Sequence, residues 1–155
     1  MELIAFGFYM RQMRKLGLDV GDKTIGVAVS DPTGLIAQGI TTIERVGIKK
    51  DTSRVISYVT EYECDTVVIG LPLSLSGEDS VQTEKVREFR VKLENKMRSM
   101  GLGKVAIEWQ DERMTTLQAE RVLIEADLSR KKRKQIIDRQ AAILILQTYL
   151  DRSSL

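Results

Sequence analysis

Two alternating apolar runs, Lys15–Gly21 and Thr24–Ser30, are parted only by Asp22 and Lys23. So short a link between such runs makes a hairpin, and the chain therefore opens on two antiparallel neighbours. Asp31-Pro32-Thr33-Gly34 follows as a turn, with Pro second and Gly fourth. Leu35–Ile43 then reads as a third strand. In the middle of the first strand stands a carboxylate, Asp19, whose neighbours Leu18 and Val20 point to the opposite face. A buried carboxylate is costly unless it is paired or holds a metal. A solvated or turn-bonded Asp near a strand end is the plainer account.

The remaining pattern changes period. Val55, Ile56 and Val59 have helical spacing and predict a helix over Asp51–Tyr62. Asp65–Leu71 is a strand-like buried run, and Pro72–Gly77 a loop. Ser80–Met100 predicts a long helix with Val81, Val86, Phe89, Leu93 and Met97 facing inward. Lys104–Trp109 is the next strand. Thr115 and Gln118 fit a capping box that opens a helix to about Ala126, and Lys131–Leu150 predicts the last helix. Three antiparallel strands followed by strand–helix alternation predict an α/β fold, a mixed five-stranded sheet flanked by helices. The order is ribonuclease H-like, with the first strand central and beside Asp65–Leu71. A length of 155 residues favours one domain. Residues 1–12, ahead of a second candidate start at Met13, are expected as an extension outside the core, leaving 13–155 as the domain.

The chain has no histidine, which excludes Ser-His-Asp and Cys-His catalysis and imidazole metal sites. A metal would need oxygen ligands, as Mg²⁺, Mn²⁺ or Ca²⁺ accept. One cysteine, Cys64, allows no internal disulfide and fits a reducing, cytoplasmic setting. No apolar run approaches the ~20 residues of a membrane span, so no membrane partner is expected. The opening Met1–Gln12 lacks the basic start and small-residue cleavage site of a signal peptide.

Two further acids stand out. Asp111 and Glu112, in "WQDERMTT", lie where a strand ends and a capped helix begins. Either could serve the helix N-terminus, where acids are favoured by ~0.3–1 kcal/mol, and Arg113 could simply pair with one of them. Asp138 is followed at helical spacing by Ala141, Ala142 and Ile145, a small apolar face that lets a helix approach a sheet closely. A surface ion pair is the alternative there. Taken together, three acids in a chain without histidine suit a two-metal oxygen site that clamps the attacking and leaving oxygens of a phosphodiester.

"LGLDVGDKTIGVAVSD", "VVIGLPLSLSG", "DERMTT" and "IDRQAAILILQTYLD" together resemble the four ordered motifs of the YqgF/RuvX family, over nearly all of Met13–Asp151. The resemblance implies a ribonuclease H-like endonuclease hydrolysing phosphodiester bonds. Family members are described both as pre-16S ribosomal RNA nucleases and as Holliday junction resolvases. It implies Asp19, Glu112 and Asp138 as catalytic metal ligands, Asp111 close by, and Mg²⁺ or Mn²⁺ as cofactor. Gly70, Leu71 and Pro72 match the loop after the fourth strand. Met114 stands where the family often has Leu, and "EDSVQTE" replaces a Gly-Pro stretch after Gly77. Gly21 and Gly26 would leave backbone space for nucleic acid, or serve the tight hairpin.

The whole-molecule charge is only +2, yet Leu128–Gln140 holds six Lys or Arg against one acid. Arg130, Lys131, Lys132, Arg133 and Lys134 sit at a predicted helix start, where cations are disfavoured. Contact with a phosphate backbone would offset that cost; a solvated helix start is the plainer account. Lys23 and Arg113 are counted with them as nucleic-acid contacts. The expected partner is structured precursor RNA, with branched DNA as the alternative. A monomer is favoured over a homodimer. Actin-like ATPases and sugar kinases also use an Asp-x-Gly hairpin, but need two such domains around a nucleotide. A non-catalytic nucleic-acid scaffold is the remaining class.

Overall fold

The computed structural model describes the backbone of residues 14–114 and 130–153, with side chains for 14–113 and 140–153. The hairpin forms as expected. Strand β1 (Lys15–Val20) pairs antiparallel with β2 (Thr24–Ser30), and the Gly21 N–H donates to the Thr24 carbonyl at 2.9 Å to close the turn. Strand β3 (Ala37–Glu44) lies antiparallel on the far edge of β2. It begins two residues later than the pattern predicts, because the Asp31 carboxylate accepts the N–H groups of Leu35 (2.9 Å) and Ile36 (3.1 Å) and keeps both in the turn. Leu35 and Ile36 are consequently exposed.

Helix α1 (Ile48–Glu61) leads to β4 (Thr66–Leu71), which runs parallel to β1. Helix α2 (Val81–Ser99) leads to β5 (Ala106–Asp111), parallel to β4. Parallel neighbours need crossovers, and these two helices supply them. The sheet order is β3-β2-β1-β4-β5, with β1 central beside β4, as the sequence predicts. Beyond a 3₁₀ turn at Glu112–Met114, helix α3 (Arg130–Ser153) crosses the opposite face.

Each face is buried. On one, Leu16, Leu18, Ile25, Val27, Val67 and Ile69 meet Val55, Ile56 and Val59 of α1 and Val86, Phe89, Leu93 and Met97 of α2. On the other, Ala142, Ile145, Leu146 and Leu150 of α3 cover Ala28, Ala37 and Val68. The close approach expected from Ala141 and Ala142 needs a bare strand as well. A Cβ on Gly17 would lie 2.6 Å from Leu146 Cβ and 3.2 Å from the Ala142 carbonyl oxygen. A strand covered on both sides reads as a continuous apolar run, as β4 does, whereas in β1 the run is broken by Asp19.

Three expectations are corrected. Val81 is 71% exposed, and Thr83 is buried in its place; stepping back along the helix from Val86 by three reaches residue 83, not 81. Helix α1 starts earlier, so Asp51 lies inside its first turn. Strand β5 is displaced two residues along the chain, because Val105 donates its N–H to Leu102 in a turn and the ladder begins only at Ala106. That displacement makes Asp111 the last strand residue and Glu112 the first of the 3₁₀ turn. Cys64 is buried, and burial pushes its thiol up to about 12. The extension at 1–12, the Thr115–Gln118 capping box and the helix to Ala126 lie outside the described residues.

Candidate active site

Strand alternation puts Gly17 and Asp19 on the α3 face of β1, since Leu16, Leu18 and Val20 belong to the other core. Asp19 pairs with Gly26 of β2. On its other side the parallel register runs Leu18↔Ile69, so one residue further Asp19 stands beside Gly70. Gly70 in turn pairs with Gln110 of β5. Laterally paired residues share a face. The half-buried Asp19 is thus flanked by glycine on both sides, in the row Gly26–Asp19–Gly70–Gln110.

Glu112 joins that row from above. Its Oε1 lies 3.0 Å from where a Cβ on Gly70 would stand, and Ile145 Cδ1 lies 2.5 Å from the same point. Asp19, Gly70 and Glu112 all sit at or just beyond the C-terminal ends of the parallel strands β1, β4 and β5. In open α/β sheets that is where ligands bind. Two carboxylates around a glycine-floored space, in a region with no imidazole, make a hard-oxygen donor set that fits Mg²⁺ or Mn²⁺. Among the described residues no group of three or more acidic or cysteine side chains converges. Asp138 falls on α3, and its side chain lies outside the described residues. Arg130, Lys131, Lys132, Arg133 and Lys134 occupy the first turns of α3, their side chains likewise outside them.

The turn after Asp19 is tied down at every residue. Gln82 of α2 donates Nε2 to the Val20 carbonyl at 3.2 Å, and Arg45 donates Nη1 to the Gly21 carbonyl at 2.9 Å. Lys85 pairs with Asp22 at 3.1 Å, and the Arg45 N–H reaches the Lys23 carbonyl at 2.9 Å. Lys23 itself is exposed at the hairpin tip. Gly21 belongs to this turn: a Cβ there would lie 3.0 Å from the Thr24 carbonyl oxygen. None of these anchors was marked by the sequence, because each partner is remote along the chain. Gly70 carried a weak signal, as a glycine interrupting the apolar run of β4.

The family profile of RuvX, described as Holliday junction resolvase, matches residues 13–152. The chain belongs to the RuvX family. A RuvX relative from Thermoanaerobacter pseudethanolicus, named "Putative pre-16S rRNA nuclease", is 51% identical over 140 residues, 90% of this chain and 96% of its own. One of the same name from Clostridium novyi is 49% identical over 139 residues, covering 90% and 98%. Among solved structures, Thermus thermophilus RuvC in complex with Holliday junction substrate has a TM-score of 0.58 at 14% identity, covering 92% of this chain and 98% of its own. The yeast mitochondrial Holliday junction resolvase has a TM-score of 0.52 at 10% identity, covering 89% and 78%. At such identities the likeness is one of fold, the ribonuclease H-like fold of RuvC.

In this RuvX chain Arg113 is occupied by protein. Its Nε lies 3.1 and 3.0 Å from the two Asp111 oxygens, its Nη2 2.6 Å from Oδ2, and its N–H donates to Oδ1 at 2.9 Å. Its Nη1 also reaches the Leu75 carbonyl at 3.4 Å. The guanidinium holds the Asp111 carboxyl below the usual carboxylate range. Asp111 is therefore committed to Arg113, while Glu112 turns toward Gly70. Arg113 joins the acidic turn to the loop after β4, where Gly77, at φ 87°, leaves its guanidinium room. Arg113→Gln is expected to lower kcat and leave the salt dependence of nucleic-acid binding as it was. Titrations across a salt series check this; a log–log slope shallower by ~0.9, one lost duplex phosphate contact, would make Arg113 a substrate ligand instead.

Proposed function

We propose that the chain is a divalent-metal-dependent endonuclease that trims the 5′ end of 16S ribosomal RNA precursor, working through Asp19, Glu112 and Asp138. The observation that carries this reading is the Glu112 carboxylate brought over Gly70 beside Asp19, at the C-terminal end of the parallel strands. Hydrolysis of phosphodiester bonds follows from membership of the RuvX family and from relatives named as nucleases. Mg²⁺ or Mn²⁺ held by these acids would supply charge neutralisation at the phosphate and an acidified water. The chain's own part is to hold the carboxylates on a rigid sheet, with the bare backbone of Gly70 giving Glu112 its place beside Asp19. The basic run Arg130–Lys134 at the head of α3 would take up flanking phosphates.

The second reading is Holliday junction resolution, favoured by the description of the family profile. Resolution requires two symmetric incisions, which a C₂ dimer supplies by repeating one site. The apolar stripes of α1 and α2 are used in covering the sheet. The large exposed apolar residues among those described are spread over several places: Leu35 and Ile36 in the turn before β3, Val46 and Leu75 in loops, and Val81, Val91 and Met100 along α2 and its end. A monomer making single cuts in RNA fits this better. Purified protein with Mn²⁺ is expected to cut a precursor RNA fragment once and to leave a synthetic four-way junction uncut. Paired junction cuts by a stable dimer, with the RNA intact, would reverse the assignment.

A further inference from the structure

Gly70 has no turn to make. It lies inside β4, paired with Gln110, and is not among the glycines with positive φ. Glycine inside a strand weakens it, and its presence marks a close approach by something else. Two groups make that approach, Ile145 of α3 and the carboxylate of Glu112.

We propose that the missing side chain at Gly70 is what forms the two-acid site: Gly70 is a positioning residue that lets Glu112 descend to the level of Asp19, and any side chain there separates the two carboxylates. This inference rests on the metal-site reading above and goes further, in naming a backbone position as a determinant of cation affinity. The geometry predicts where the strain would go. A Cβ at residue 70 would stand 3.0 Å from Glu112 Oε1, closer than carbon and oxygen normally approach, and 2.5 Å from Ile145 Cδ1. Ile145 is fully buried and can shift only within a packed core. Glu112 is half-buried at the start of a one-turn 3₁₀ segment, and its carboxylate is the far end of a flexible side chain. The carboxylate therefore moves, and the site loses more than the fold does.

Gly17 is the matched control. A Cβ there meets Leu146 and the Ala142 carbonyl, with no carboxylate among its near neighbours. Mn²⁺ binding is measured by calorimetry on the full chain, with no substrate present. Gly70→Ala is expected to weaken Mn²⁺ at least tenfold, whereas Gly17→Ala loses thermal stability and keeps Mn²⁺ affinity. Adding Ile145→Val to Gly70→Ala removes the closer apolar contact, the one to Cδ1, and is expected to recover part of the stability without recovering Mn²⁺. In a Glu112→Gln background, Gly70→Ala is expected to cost no further affinity. Wild-type Mn²⁺ affinity in Gly70→Ala, or in its Ile145→Val derivative, would overturn the inference and leave the metal reading standing. No Mn²⁺ binding by the unmutated chain would remove that reading and this inference together.

Discussion

Asp19→Asn is expected to abolish metal-dependent cleavage while the protein stays folded and still binds nucleic acid. The substitution keeps volume and removes the charge a divalent cation needs. Losing most of the metal's charge stabilisation, about 4 kcal/mol of transition-state energy, lowers kcat about a thousandfold. The fold should tolerate it, because Asp19 is half-buried and Asn fills the same volume between Gly26 and Gly70. The check is cleavage with Mn²⁺ beside a melting curve and a binding titration on the same preparation. Unchanged cleavage would remove Asp19 from the site, and a collapsed melting curve would make its role structural.

Arg45→Ala is expected to give the largest loss of stability. Asp51 is fully buried in the first turn of α1. Its carboxylate accepts the N–H groups of Val46 at 3.0 Å and Gly47 at 3.4 Å, and the Nε of Arg45 at 3.0 Å. Arg45 also lies over the Phe89 ring at 5.4 Å and holds the Gly21 carbonyl of the hairpin turn. Removing the guanidinium leaves a buried charge without its partner, which costs about 3 kcal/mol, and lowers Tm by about 10 °C. Burial alone would raise the Asp51 pKa, but the hydrogen bonds from Val46 and Arg45 outweigh it and the net shift is downward. A depressed carboxylate pKa stabilises the fold above the ordinary Asp range, and that contribution disappears as pH falls through the folded-state value. The gap between wild type and Arg45→Ala should therefore be full at neutral pH and narrow in acid. A gap that widens in acid would show that the pair contributes little.

Much of the frame was legible because it is local. The hairpin is written in two alternating runs and a very short link. The crossover helices show in the spacing of Val55, Ile56 and Val59 and of Val86, Phe89, Leu93 and Met97. The central position of β1 beside β4 follows from the order of elements, and Asp19 stood out as a charge inside an apolar run. These signals depend on nearest neighbours along the chain, where strand and helix periods leave their mark. The beginnings of elements were less legible, because side chains compete for backbone groups there. Asp31 draws Leu35 and Ile36 into a turn, and Asp51 reaches back to Val46 and Gly47 from within its own helix.

What only the tertiary structure decided is which residues meet across strands. The sequence placed Asp111 and Glu112 side by side, Glu112 as a ligand and Asp111 close by; the Arg113 guanidinium, which also donates to the Leu75 carbonyl, takes Asp111 and leaves Glu112 to turn over Gly70. The sequence offered Arg113 to nucleic acid, where the fold uses it between the acidic turn and the loop after β4. The sequence matched Gly70 to the loop after the fourth strand, but Gly70 lies inside β4, where the registers of β1, β4 and β5 set it between Asp19 and Gln110. Register is a long-range quantity. A slip of one residue in either parallel pair would turn Gly70 to the other face and put a branched side chain, Ile69 or Leu71, under Glu112. The pairing that prevents this is set by the packing of α1, α2 and α3 on the two faces of the sheet, and no local pattern encodes it.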